Sequence, residues 1–276
     1  RRVRPLTGFH PMKKLKPRQR VLVYQLMMYG LAAVVVLVVV TQADWPKIQK
    51  NFFNTEIAAD MFPEVITSAV KNTALYTALS FVLGMVLALA LALMRLSSLK
   101  PFRAFAIGYI ELFRGLPALI TLLFVGFGLP IAFSGFRIPG GVLGRGSVGL
   151  ALVAGAYMAE TIRAGIEAVP KGQTEAARSL GMSQTRTMFT IILPQAFRII
   201  IPPLTNELVL LIKDTSLFFI LGSTPGTKEL TKFARDFMNA ERNATPLTVV
   251  AILYLLITLP LTFLVRRLER SAAKAR

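Results

Sequence analysis

Apolar residues in this chain come in long runs rather than in alternation. Residues 21–40, VLVYQLMMYGLAAVVVLVVV, carry no charge over 20 positions. Further runs fall at 66–94, with Lys71 near its start and Arg95 just after it, and at about 117–133, after a break at Gly115 and Pro117. Three more lie at about 147–165, 199–222 and 246–265. Each is at least close to the roughly 20 residues a helix needs to cross about 30 Å of hydrocarbon, and 66–94 is longer. Backbone in lipid must bond within itself, so such runs predict helices. The fold class is all-α integral membrane, a helical bundle of about six transmembrane helices. No internal repeat is evident.

Composition agrees with this picture and adds an orientation. Of 276 residues 54% are hydrophobic, too many for an ordinary soluble domain. The net charge of +18 would suggest nucleic acid in a soluble protein. Here the basic residues border the apolar runs, so they read as membrane orientation and no nucleic acid is expected. With the N-terminus in the cytoplasm, the inside segments 1–20, 95–103, 163–198 and 266–276 hold 21 Lys and Arg against 8 outside. Both termini are then cytoplasmic, with 1–20 a basic tail and 21–41 a first span. A signal peptide shares the charge order of this start, but its apolar part is usually about 7–15 residues. Thr41-Gln42-Ala43 is a weak cleavage-site match, so a retained span is expected. There is no cysteine and one histidine, His10, in the basic tail. Disulfides, thiol nucleophiles, histidine metal sites and a Ser-His triad are excluded within the chain.

Two segments depart from plain spans. In 101–113, PFRAFAIGYIELF, Phe102, Phe105, Tyr109 and Phe113 recur at helical spacing. This is either an interfacial helix or the start of a longer span. The second segment, VPKGQTEAARSLGMSQ at 169–184, is polar and cytoplasmic in this orientation. Thr174 is expected to cap a helix, with Glu175 in its first turn, where the helix dipole favours an acid. Ala176, Ala177 and Leu180 would make a small apolar face, and Gly181 would end the helix. A second helical piece, 183–192, precedes Pro194. A short helix with such a face suits a groove on another protein; equally, it serves as a surface helix joining two spans.

The residues EAARSLGMSQTRTMFTIILP resemble the cytoplasmic loop of bacterial ABC-importer permeases. AYMAETIRAGIEAVPKGQTEAARSLGMS, FRGLP at 113–117 and PPLTNELVLLIKDTSL are similar to the polar amino acid branch of that family. The likeness runs from about residue 64 to 270 and implies a type I ABC importer-like transmembrane domain there, a five-helix core with residues 21–40 as an extra span. It further implies a coupling helix at about 172–192 that docks on a cytoplasmic ABC ATPase dimer, with Glu175, Ala176, Ala177 and Gly181 as its coupling positions. ATP and Mg would be held by that partner, with no cofactor in this chain. The resemblance also implies a second permease subunit, the same or similar, an extracytoplasmic amino acid-binding protein, and a bacterial cell membrane. The chain departs from the pattern at Leu116, where threonine is common, in its extra span, and in LGSTPGTKEL at 221–230.

That last stretch superficially suggests a phosphate loop. A phosphate-binding P-loop needs Gly-Lys-Ser/Thr after four intervening residues. Here three residues separate the glycines, Thr227 stands between Gly226 and Lys228, and Glu229 follows, so no nucleotide site is expected.

Ionisable groups inside spans are costly and mark pathways. The fifth span holds Asn206, Glu207, Lys213 and Asp214, and Pro202 and Pro203 are expected to break its start. Asn206 with Lys213 and Glu207 with Asp214 form two adjacent stripes that should face the bundle interior or a dimer seam. The fourth span carries Tyr157, Glu160 and Arg163. Glu160 is either a partner of Arg163 or the acceptor of an amino acid's ammonium, and Arg114 is either an interfacial charge or a carboxylate anchor. A permease subunit moving a polar amino acid, glutamine or glutamate first, is the leading expectation, and the chain is not itself an enzyme. An ion-gradient-driven secondary amino acid transporter is the alternative.

Overall fold

The computed structural model describes residues 17–274, and the tail up to Lys16, His10 included, lies outside them. Their contacts divide them into two units, one ending at Lys50 and one beginning at Asn51. Among the described residues every regular element is a helix.

The first unit is built on α1, Pro17–Gln42, and the first residues of α2, Trp45–Phe52, which begins three residues later. From Val21 to Gln42 α1 is apolar on all sides and exposed, as suits a helix whose solvent is lipid. The Trp45 indole N–H donates to the Val40 carbonyl at 2.8 Å and ties the two helices together.

The second unit begins with α3, Thr55–Asp60, whose N-cap Asn54 accepts from the Glu56 and Ile57 amides. There follow α4 (Val65–Leu96), α5 (Lys100–Gly115), α6 (Ala118–Ala132) and α7 (Gly141–Glu167). The polar segment after α7 gives α8 (Lys171–Ser179). α9 (Gln184–Leu221), α10 (Leu230–Glu241) and α11 (Thr245–Lys274) complete the unit.

The centre is the contact between α4 and α7. Small residues recur every fourth position on both: Ser80, Gly84, Ala88 and Ala92 on one, Ser147, Ala151, Gly155 and Ala159 on the other, all buried. In lipid the hydrophobic effect does not pull helices together, and small residues that permit close backbone approach take over. A Cβ at Gly84 would stand 2.8 Å from Met158 Cε and 3.4 Å from the Ala151 carbonyl. One at Gly155 would stand 2.9 Å from Leu87 Cδ2 and 3.3 Å from the Gly84 carbonyl.

Among the described residues five helices are long and apolar enough to cross a membrane, or six if α5 and α6 count as one span. These two meet at 105° across Leu116 and Pro117. Leu116 is extended, at φ −93° and ψ 139°, the conformation a following proline favours. The bend makes 101–113 a helix of its own, with Phe102 and Phe105 exposed. The expected span at 117–133 is present as α6, but its 15 residues rise only about 22 Å, short of the hydrocarbon thickness.

Two expectations for α9 are corrected. The piece at 183–192 is its first part rather than a separate helix, and Pro202 and Pro203 do not break it. A membrane helix tolerates prolines where neighbouring groups re-satisfy the freed carbonyls.

Beyond α9, the 222–230 loop is stitched to α4. Asn72 donates to the Gly226 and Lys228 carbonyls, the Tyr76 hydroxyl to the Thr227 carbonyl at 2.6 Å, and the Leu230 amide to Thr73 Oγ1. Lys228 pairs with Asp236 at 2.8 Å. Glu229 is buried and caps α10 by accepting from the Thr231 and Lys232 amides. Burial pushes its carboxyl up to about 7, against these two bonds.

Candidate functional site

A cavity of about 340 Å³ opens where the α5–α6 break meets α7 and α9. Leu116 and Pro117 form one wall, Val153 and Tyr157 a second, Glu207 and Asp214 a third. The two carboxylates are seven residues apart on α9, two turns and about 10 Å along the same face. Both side chains are only partly shielded.

Of the expected pathway residues, the structure brings Tyr157, Glu207 and Asp214 together around this cavity. Asn206 and Lys213 are exposed instead, each one residue and about 100° round the helix. The two stripes therefore part company, and only one faces the interior. Arg114 is exposed at the end of α5, with its guanidinium 5.4 Å from the Tyr157 ring centroid. The Tyr157 hydroxyl donates to the Arg114 carbonyl at 3.4 Å. Glu160 is off the wall and pairs with Arg163, whose guanidinium also reaches Glu167. The expected cationic anchors thus lie outside the cavity, whose lining includes no Lys or Arg. The sequence reading missed the apolar part of the wall, although Leu150, Val153, Ala154 and Tyr157 recur at helical spacing. Among the described residues no group of three His, Cys, Asp or Glu could hold a metal ion.

A second surface is α8. It begins directly after Pro170, so Thr174 and Glu175 lie mid-helix rather than at its cap and first turn. Proline fixes the φ at the helix entrance, one turn before the threonine. The end is as expected. Gly181 is left-handed at φ +80°, its amide bonds the Arg178 carbonyl, and the Met182 amide bonds the Ala177 carbonyl. This paired closure is the Schellman motif, which a residue with a Cβ adopts at a cost. Ser183 then caps the next helix through the Arg186 amide.

The apolar face of α8 differs from the one expected. Ala177 is buried, and beside it Gln195 donates to Gln173 at 3.4 Å. Gly172, Ala176 and Leu180, spaced four apart, are exposed with Glu175, and Leu180 is 83% exposed. The outward face is therefore two small residues and one projecting leucine, with a carboxylate at its side.

Residues 80–274 match the family described as binding-protein-dependent transport system inner membrane component. The glutamine transport system permease protein of Escherichia coli K12 is 39% identical over 166 residues, 60% of this chain and 73% of that one. A probable glutamine ABC transporter permease protein of Bacillus subtilis is 38% identical over 185 residues, 66% of this chain and 82% of that one. Among solved structures, the crystal structure of an amino acid ABC transporter with histidines aligns at a TM-score of 0.70 and 36% identity, over 78% of this chain and 96% of that one.

Proposed function

This chain belongs to the family of binding-protein-dependent transport system inner membrane components, and from that premise we propose that it passes a polar amino acid, glutamine first, through the Glu207–Asp214 cavity. As a member it is a multi-pass inner-membrane permease subunit of an ATP-driven importer, not an enzyme. An ion-gradient-driven carrier is not favoured by these relatives.

The observation that carries the substrate reading is the pair of carboxylates facing the cavity. An α-ammonium group needs an anionic acceptor, and two lie on one wall beside a tyrosine. The same wall disfavours glutamate, which would bring a second negative charge to a lining without Lys or Arg. This feature also supports a second reading, in which the substrate carries net positive charge, as arginine does. The experiment is uptake of labelled glutamine into liposomes holding the assembled transporter, in competition with unlabelled glutamate, arginine and leucine. Glutamine is expected to be displaced by glutamine and not by glutamate or leucine. Displacement by arginine at lower concentration than glutamine would establish the second reading. Equal displacement by leucine would contradict both.

For energy coupling, the proposed handle is α8, through Glu175, Ala176, Ala177 and Gly181. Its outward face of Gly172, Ala176 and Leu180 suits a groove on a cytoplasmic ATPase. Two ATPase subunits carrying ATP and Mg, a second permease and an extracytoplasmic binding protein complete the proposed assembly, with both termini cytoplasmic. Leu180→Asp and Glu175→Lys are expected to leave membrane insertion intact. Each should lower ATP-driven uptake about tenfold or more, the loss of one buried interface anchor. Uptake at the parent rate in both would remove α8 from the coupling role.

A further inference from the structure

The cavity-lining side of α7 does not end at Tyr157. Leu150, Val153, Ala154 and Tyr157 line it, and helical spacing puts Glu160 and Thr161 one turn past Tyr157 on the same helix, beyond the lining itself. Glu160 is held there by Arg163. The Arg163 Nε donates to Oε2 at 2.9 Å and a second N–H of the same fork reaches Oε1, a bidentate pair. A third N–H of that guanidinium reaches Glu167. The Glu160 and Arg163 side chains are 25% and 21% exposed, whereas Glu167 is 55% exposed.

We infer that Glu160 is a transient station for the substrate's ammonium group next to the cavity, and that Arg163 is an exchangeable latch which occupies Glu160 between transport events. The inference rests on the reading of the cavity as the substrate site.

The argument is one of charge conservation during exchange. A shielded ion pair cannot lose one partner without leaving the other uncompensated. Here the loss is covered on both sides. When an ammonium takes Glu160, Arg163 keeps Glu167, its neighbour four residues on, by side-chain rotation alone. When the ammonium leaves, Arg163 returns. With Glu160 as its sole partner, Arg163 would be stranded by the same step. A station on a path must bind well enough to accept and weakly enough to release. Along the pathway, the carboxylates of Asp214 and Glu207 line the cavity and Glu160 lies one turn past Tyr157, a stepped series for one positive group.

An ordinary interfacial salt-bridge cluster would share the contacts but not the kinetics. The test uses the assembled transporter in liposomes with labelled glutamine as probe. In Glu167→Gln the latch loses its second partner, and exchange becomes harder. The maximal uptake rate is expected to fall about tenfold with the half-saturating concentration unchanged, one factor of ten in rate corresponding to a single weakened charge step. Glu167→Asp should restore most of the rate. Glu160→Gln should show the same split between rate and half-saturation. Rates within twofold of the parent in both Gln variants would overturn the inference, and so would a loss matched by less inserted protein. Should Glu160→Gln fail to insert, Glu167→Gln decides alone, because its side chain is half in solvent. Glu207→Gln, run in parallel, keeps the two readings apart. If it leaves the half-saturating concentration unchanged, the cavity reading fails, whatever the latch variants do.

Discussion

Helix α9 carries two polar stripes one residue apart, and their surroundings differ completely. Glu207 and Asp214 line the cavity, whereas Asn206 and Lys213 are exposed on the outside of the bundle. The stripes share length, depth and spacing, so composition does not separate them. The 100° step between neighbouring residues does. Polar groups on the outer side of a spanning helix are costly in hydrocarbon, so the second stripe calls for a protein neighbour. The lesson is that polarity inside a span marks a buried position, and packing decides which one.

The comparison breaks most readily at its inner stripe. Glu207→Leu is expected to lower glutamine uptake about a hundredfold, through loss of a charge-assisted contact in a shielded site. Asp214→Asn should have the same direction and a smaller effect, about tenfold. On the outer stripe, Lys213→Gln should leave the half-saturating concentration of uptake within about threefold of the parent. Its effect should appear in the detergent stability of permease pairs, read by size-exclusion chromatography with light scattering. An outer-stripe variant that shifts half-saturation as far as Glu207→Leu would erase the distinction.

The smallest effect concerns Glu229, in the loop that follows the Lys213–Asp214 end of both stripes. Its folded carboxyl titrates near 7, against an ordinary value of 4.5 when unfolded. Between those values the folded state holds more protons, so stability falls as pH rises through this window and is level above it. Thermal unfolding in detergent should therefore show a lower midpoint at pH 8 than at pH 5, worth about 2 kcal/mol. Glu229→Gln should remove most of that slope. It should not change which amino acids compete for uptake, because Glu229 lies off the cavity wall.

Much of this architecture was legible as pattern. Runs of 20 apolar residues gave the spans, and Gly115 with Pro117 marked the bend between α5 and α6. Local rules failed where a neighbouring signal competed. Thr174 is a good capping residue, but Pro170 starts the helix first, which carries Glu175 into its middle. Pro202 and Pro203 are helix breakers in water, yet α9 passes through both. The apolar face of α8 was misassigned because Ala177 packs inward while Ala176 and Leu180 face out, a choice made by the neighbouring segment of α9. For the site, the identity of Tyr157, Glu207 and Asp214 was readable, but their convergence was not. It depends on α7, α9 and the break meeting in space, and the same contacts exclude Arg114, Glu160 and Lys213 from the wall.

The central claim is that one stripe of α9 handles substrate and its neighbour does not. The most direct measurement is the concentration dependence of glutamine uptake for Glu207→Gln and Asn206→Leu, side by side in the assembled transporter. The account predicts that the half-saturating concentration rises at least about tenfold in the first and stays near the parent in the second. The reverse order, or equal shifts in both, would contradict it.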